Sequence, residues 1–461
     1  MSIADASAAA YVTAQKQMLA QLPGGGISSL DAHRAGAVDQ LARLGLPSQR
    51  DEDWKYTSIR SITKSAFTPA EPGGDCPATF FNGHEIANLN ALRLVFVDGF
   101  FAPALSDHSD LPRGLHIGGM AQGLRDDGAR LAAHLGTALG SIPHGFAAMN
   151  SAFVADGACV ELEAGLRIDR PIELIFVCGV SGEGLLSLPR NLIRLGVGSQ
   201  ATVIERYLSF DRSRGLNNTL TEIILDEGAT LDHCVLQSLG ERMFHVGGLF
   251  ASVAKDATLR STTVTTSGAL VRNDARVNLD GERASVHLDG CYLAFGRSHI
   301  DNHTHIAHNH PNGISRETYK GVLGDRGRAV FHGRIVVKPD AQKTDSEQNN
   351  QNLLLSEEAE IDTKPQLEIY ADDVKCAHGA TVGQLDETAL FYLVSRGVDR
   401  ATARRMLTQA FAADVLNGVQ CEPLREHLQH LASARLDAAL SEQASDQVGD
   451  LGRDEAAPVT Q

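Results

Sequence analysis

GSQATVIER (198–206), GATLDHCVL (228–236), KDATLRSTTV (255–264) and ERASVHLDG (282–290) are variants of one phrase: a turn or polar residue, then alanine, then alternating apolar positions. GACVELE (157–163), GRAVFHGRI (327–335) and EEAEIDTK (357–364) repeat it on either side. The alanines, Ala158, Ala201, Ala229, Ala257, Ala284, Ala329 and Ala359, are separated by 43, 28, 28, 27, 45 and 30 residues. Side chains on a strand alternate between its two faces, so each phrase reads as a short strand with one buried face. A near-constant spacing of such phrases signals stacked coils, each burying its inward residues on the coils above and below. The expected fold is therefore mainly β, with a parallel β-helix core over about 150–385. The two long separations would hold loops, SGEGLLSLPRN (181–191) in the first and a histidine-rich stretch in the second. An ordinary antiparallel β domain with recurrent turn chemistry is the competing reading.

Helical periods flank this core. Residues 1–145 form a helical and mixed region, in which AYVTAQKQMLAQL (10–22) and DAHRAGAVDQLARLG (31–45) carry apolar residues at threes and fours. Pro23 and the three glycines after it separate these helices, and Pro47 ends the second. A mixed charged and aromatic segment follows, RDEDWKYTSIRSI (50–62). Further on, LRLVFVDGFF (92–101) reads as a strand with a turn and AQGLRDDGARLAAHLG (121–136) as a helix. Residues 386–441 form a C-terminal helical region. Leu390 and Leu393 fit a short helix ending near Gly397, and Asp399 caps RATARRMLTQAFAADVL (400–416). Met406, Ala410 and Phe411 form an apolar stripe there, either core or docking surface. Pro423 opens a last helix, and the polar, acidic stretch 442–461 is expected to be a disordered tail.

Composition excludes several function classes. A net charge of −16 and a pI near 5.5 argue against nucleic acid as the main ligand, since phosphate binding needs clustered Lys and Arg. No apolar run approaches the length that spans a bilayer, and the first residues lack a basic leader with a compact apolar segment. The chain is expected to be cytoplasmic. Its seven cysteines, at 76, 159, 178, 234, 291, 376 and 421, are scattered and contain no CxxC, so neither a zinc ribbon nor a ferredoxin-type cradle is encoded. Most should be buried small hydrophobes. There is no GxSxG and no GxxxxGK[ST] loop. Neither an enzyme nor a permanent cofactor is expected.

Two stretches could still carry chemistry. In AEIDTKPQLEIYADDVKCAHGATVGQLD (359–386), Cys376 and His378 lie two residues apart after an alternating strand. If that strand continues past Asp373, both share a face. A thiolate and an imidazole together suit iron, zinc or copper, or form a primed nucleophile; the plain alternative is a half-buried Cys beside a surface His. The second stretch, SHIDNHTHIAHNHP (298–311), holds His299, His303, His305, His308 and His310 with Asp301. His303 and His305 could share a metal on a strand. The Asn and Pro residues suggest a loop, however, and the favoured reading is solvated or turn-capping histidines. The amide-rich QNNQN (348–352) suits a structural role between stacked strands.

From about residue 150 to 420 the chain resembles the SufD family, scaffold subunits of the SUF iron–sulfur cluster assembly machine. DNHTHIAHNHPNGISRETYKGVL (301–323), GRAVFHGRIVVKPDAQKTDSEQNNQNLLLS (327–356), the segment 359–386 and LFYLVSRGVDRATARRMLTQAFAADVL (390–416) carry the resemblance, and RDEDWKYTSI adds to it. The resemblance implies a right-handed parallel β-helix with helical ends. It also implies pairing with SufB, a related β-helix subunit, and docking of the SufC ATPase on the C-terminal helices. An isolated subunit could form a homodimer. Carried over by motif, His378 becomes a candidate iron ligand and Cys376 an accessory thiol, with a transient cluster or iron shared with SufB, whose thiolate would complete the site. Two alternatives stand beside this: a structural partner of SufB without iron contact, and a β-helix enzyme acting on polysaccharide.

Overall fold

The computed structural model describes residues 3–65 and 67–454, with side chains for 7–65 and 67–441. Strands alternate between two sheets. The first face takes Arg190–Leu195, Gly215–Leu225, Met243–Val253, Leu270–Leu279, His299–His308, Arg328–Val337 and Glu360–Ile369, in that spatial order. The second takes Gln200–Ser209, Thr230–Ser238, Thr258–Ser267, Ser285–Ala294, Ile314–Leu323, Asp345–Leu354 and Lys375–Gly383. Neighbours within each face run parallel, which gives a β-solenoid of about eight turns flanked by helices.

The repeated phrase has a physical origin in one corner of the coil. Gly198, Gly228, Asp256, Arg283, Asn312 and Lys343 all have φ between 57° and 68°. Each donates its backbone N–H to a carbonyl of the next coil: Gly228 to Lys255, Asp256 to Glu282, Arg283 to Pro311 and Lys343 to Asp373. The hydrogen-bond ladder therefore continues around the bend. The residue after each left-handed one turns inward at the tightest point, and Ala229, Ala257 and Ala284 are fully buried there, with Ser199 and Thr344 almost so. Small side chains are what the corner admits.

The long separations have a different cause from the one expected. Ala158 and Ala329 lie in first-face strands, whereas Ala201 and Ala284 belong to second-face segments, so 43 and 45 residues each measure about a coil and a half. Neither separation is made by a loop alone. The histidine-rich stretch expected to be a loop is strand His299–His308, fully paired on both sides with Leu270–Leu279 and Arg328–Val337. A second correction concerns the strand leading to Cys376. Strand Glu360–Ile369 ends on the first face, the chain turns through Asp372 and Asp373, and Lys375–Gly383 starts anew on the second.

The solenoid begins upstream of residue 150. Leu92–Val97 pairs in parallel with Ile172–Cys178, and antiparallel strands, Phe100–Phe101 and Leu115–Gly119, lie at that end of the two sheets. Helices Ile3–Met18, Ser28–Leu44 and Gly145–Phe153 share a core with Trp54 and Leu270, against the outside of the first face. Helices Arg400–Leu416 and Glu422–Asp454 cover the second, where Cys234, Cys291 and Leu293 pack on Ala412, Leu416 and Leu428. Five of the seven cysteines are buried, and Cys376 and Cys421 are half-buried. The last helix continues to Asp454, across part of the segment expected to be a disordered tail, and 455–461 lie outside the described residues.

Inside the solenoid Phe96, Phe176 and Tyr207 stack ring on ring, with centroids 4.8 and 4.9 Å apart, one residue per coil. Phe176→Ala should cost about 3–5 kcal/mol by leaving a cavity between two rings. Ile369→Ala, at an exposed position, should change stability by less than about 0.5 kcal/mol. Urea unfolding midpoints of the two variants check this.

Candidate functional site at the open end of the solenoid

Lys375–Gly383 is the last strand of the second face and Glu360–Ile369 the last of the first, so each pairs along one edge only among the described residues. Pro365 removes one donor from the outer first-face strand, a place where proline is tolerated because the edge is unpaired. Ile369, Tyr370 and Val382 are exposed apolar side chains at the same end. A bare sheet end carrying apolar residues is a surface suited to another chain.

Cys376 and His378 sit on this outermost strand. Register places Cys376 against Ser346 and His378 against Gln348, and Ser346, Gln348, Asn350 and Asn352 are the buried, inward side of their strand. The shared face expected for the pair therefore holds, by the two-residue period of the new strand. Cys376 packs on the edge of the main core, and His378 is exposed. Burial, with the Asp345 carboxylate second, pushes the Cys376 thiol above its ordinary pKa, while a backbone bond at Ser346 opposes the shift. A thiol shifted upward is a poor nucleophile by itself, so the primed-nucleophile reading loses support in the free chain. Among the described residues no third Cys, His, Asp or Glu joins these two as a ligand set.

Below His378 the column turns polar. Gln348 donates from Nε2 to Glu317 Oε2 at 2.6 Å, one coil further in. Burial pushes the Glu317 carboxyl up to about 7, and the bond from Gln348 only partly offsets this. The QNNQN amides complete the network: Asn352 Nδ2 donates to Asn350 Oδ1, and Asn350 Nδ2 to Tyr319 O. Their role is structural, as expected.

Of the tract's five histidines only His310, in the bend after the strand, is exposed as expected; the other four are at least half-buried. His299, His303 and His305 face outward from the first face and are covered, whereas His308 points inward and its Nε2 meets Ser315 Oγ at 2.9 Å. Burial lowers the pKa of His305 and of His308 to about 4. The cover is RDEDWKYTSI: Thr57 donates to Asp301, Arg272 donates to Asp53 O at 2.7 Å, and the Arg272 guanidinium lies 4.0 Å over the Trp54 ring. His303 and His305 are not brought together as a pair; His303 instead faces His332 of the next coil and Asp53, a grouping the sequence reading did not contain. The C-terminal stripe is likewise redistributed, with Thr408, Ala412, Val415 and Leu416 forming the buried face of their helix. Met406 is exposed, as are Phe391, Tyr392 and Val394 on helix Glu387–Ser395.

Comparison with known families places the chain as a whole. A model described as the SufBD core domain of the SUF system for FeS cluster assembly matches residues 178–411, and one described as the SufBD protein N-terminal region matches 6–174. The chain is a member of the SufBD family. It is 34% identical over 396 residues to the iron–sulfur cluster assembly protein SufD of Escherichia coli, covering 85% of this chain and 89% of the relative. An iron–sulfur cluster assembly SufBD family protein of Synechocystis is 33% identical over 417 residues, covering 87% and 90%. The chloroplastic protein ABCI7 of Arabidopsis thaliana is 28% identical over 402 residues, covering 85% and 83%. The SufD-like character read from the motifs is thereby established, and with it a place in iron–sulfur cluster assembly. No helix among the described residues is long and apolar enough to cross a membrane.

Glu317 provides a test of the column under His378. Its folded pKa, about 7, exceeds the ordinary carboxyl value of 4.5. The native state then holds the proton more tightly than the unfolded chain, so this contribution is full below the unfolded pKa and is lost as pH rises through the folded one. The difference amounts to roughly 3 kcal/mol. Glu317→Gln should therefore gain stability relative to the parent between pH 5 and pH 8, read as a growing difference in melting temperature. A pH-independent difference would contradict the assigned burial.

Proposed function

We propose that this SufBD family member is a non-catalytic, cytoplasmic scaffold for iron–sulfur cluster assembly, with its open solenoid end paired to SufB. A nascent cluster, or its iron, is held at that junction as cargo. His378 supplies an imidazole ligand, Cys376 an accessory thiol, and the partner the remaining donors. The observation that carries this reading is the position of the pair: one inward face of an outermost strand, at an edge with no neighbour among the described residues. Two donors leave an iron under-coordinated, which favours a shared site and later release. In isolation the same edges can pair with a second copy. Docking of the SufC ATPase on the C-terminal helices is supported by the exposed Phe391, Tyr392, Val394 and Met406, apolar side chains unused by the chain's own core.

The alternative of a purely structural partner makes opposite predictions at His378. With His378→Ala, complex formation and melting temperature should stay within the parent's range while iron and sulfide per reconstituted complex with SufB and SufC fall several-fold. Cys376→Ala should lower the yield less. A destabilised subunit with normal iron content per folded complex would refute the ligand role. Deletion of 386–441 should abolish SufC binding with the solenoid still folded by circular dichroism. Retained binding by that truncation would overturn the docking assignment.

A further inference from the structure

On the outer side of the first face, one and two coils in from the open end, Asp53, His303 and His332 bring three ligand atoms within 4.8 Å of one another at a cavity of about 60 Å³. They come from different parts of the chain. Asp53 belongs to the segment that covers the first face, while His303 and His332 are register partners on adjacent coils, their rings 4.8 Å apart and nearly perpendicular.

Polar neighbours orient both rings. His332 Nε2 lies 2.7 Å from Gln366 Oε1, which can only accept, so Nε2 carries the proton and Nδ1 the lone pair. His303 Nε2 lies 3.2 Å from Arg272 Nη1 and 3.0 Å from Asp301 Oδ1. Arg272 Nη1 has two hydrogens, both directed at closer acceptors, Asp53 O and Asp301 Oδ2, each at 2.7 Å. Asp301 Oδ1 is buried without a hydrogen bond of its own, with His303 Nε2 3.0 Å away. A metal ion on His303 Nδ1 would place the ring proton on Nε2, facing that oxygen. Both rings would then be oriented through the other nitrogen by an oxygen acceptor, the arrangement that metal-binding histidines adopt.

Among the residues that line the cavity, Asp53 and Asp274 offset Arg276 and Arg334, and the buried Arg272 is offset by Asp301. Asp53 is half exposed and 3.8 Å from Arg276, and on binding an ion the donors would close to the roughly 3.4 Å separation that bonds of about 2.1 Å require in a tetrahedral site.

We infer that Asp53, His303 and His332 form a two-histidine, one-carboxylate site for a divalent first-row transition ion such as Zn²⁺ or Fe²⁺, which clips the N-terminal segment to two coils of the solenoid. It is independent of the Cys376–His378 pair, and its test does not depend on cluster assembly. The full-length chain, stripped with chelator, is titrated with Co²⁺ and followed by its visible absorption bands, with Zn²⁺ competition and melting temperature as second readouts. The expected result is one Co²⁺ per chain, displaced by Zn²⁺, with a raised melting temperature. Asp53→Asn and His332→Gln should abolish it, and Gln366→Leu, which removes only an orienting acceptor, should weaken it by about tenfold. The Cys376→Ala/His378→Ala double variant should bind as the parent does. Circular dichroism without metal confirms that each variant is folded. Should His332→Gln not fold, Asp53→Asn and Gln366→Leu decide the matter. Absence of stoichiometric Co²⁺ on the folded parent would overturn the inference. So would binding that survives Asp53→Asn or disappears with the double variant.

Discussion

The constraint on which the structure depends is that each coil of a parallel solenoid needs the edge of another. Backbone groups along an unpaired strand are open to any chain that offers a matching edge. This protein treats its two ends differently. At the N-terminal end antiparallel strands, Phe100–Phe101 and Leu115–Gly119, close the sheets. At the other end parallel strands Glu360–Ile369 and Lys375–Gly383 stop with one edge bare, and the chain departs into helices that cover the second face instead. Cys376 and His378 therefore lie where a further strand would be added.

The coils were legible because the corner imposes chemistry at short range. A left-handed residue followed by a small buried one recurs at Gly228–Ala229, Asp256–Ala257 and Arg283–Ala284, and any window of ten residues displays it. Which sheet each phrase belongs to is not a local property. Ala158 and Ala329 look like the other alanines but stand half a coil away, which is why their separations suggested loops. The same limit hid the state of the histidine tract. Asn302, His303 and His305 in isolation suggest a wet turn, and the residues that bury this side of the strand, Asp53 to Thr57, lie more than two hundred positions earlier; Thr57 and Asp301 are 244 apart. A signal did exist: RDEDWKYTSI pairs acids with the chain's single tryptophan, a composition suited to covering Arg272. In the C-terminal helix, periodicity shows an apolar stripe but not which of its residues are core, and Phe411 packs with the core cluster while Ala410 is exposed. Ala412 and Leu416 face the core while Met406 faces out.

The two proposed donor sets differ in their settings. His303 and His332 lie beneath the N-terminal cover, beside Asp301 and Gln366, and would suit a fixed ion that holds the cover in place. Cys376 and His378 lie at the rim, with only a half-buried thiol and an exposed imidazole, and suit cargo that must leave. The central claim is that this rim touches the cluster through His378. Pulsed electron paramagnetic resonance on a reduced, paramagnetic cluster assembled with SufB and SufC tests it directly when this chain alone carries ¹⁵N-histidine. The account predicts a ¹⁵N hyperfine coupling that disappears in His378→Gln. A fully loaded complex that shows no nitrogen coupling from this chain would contradict it.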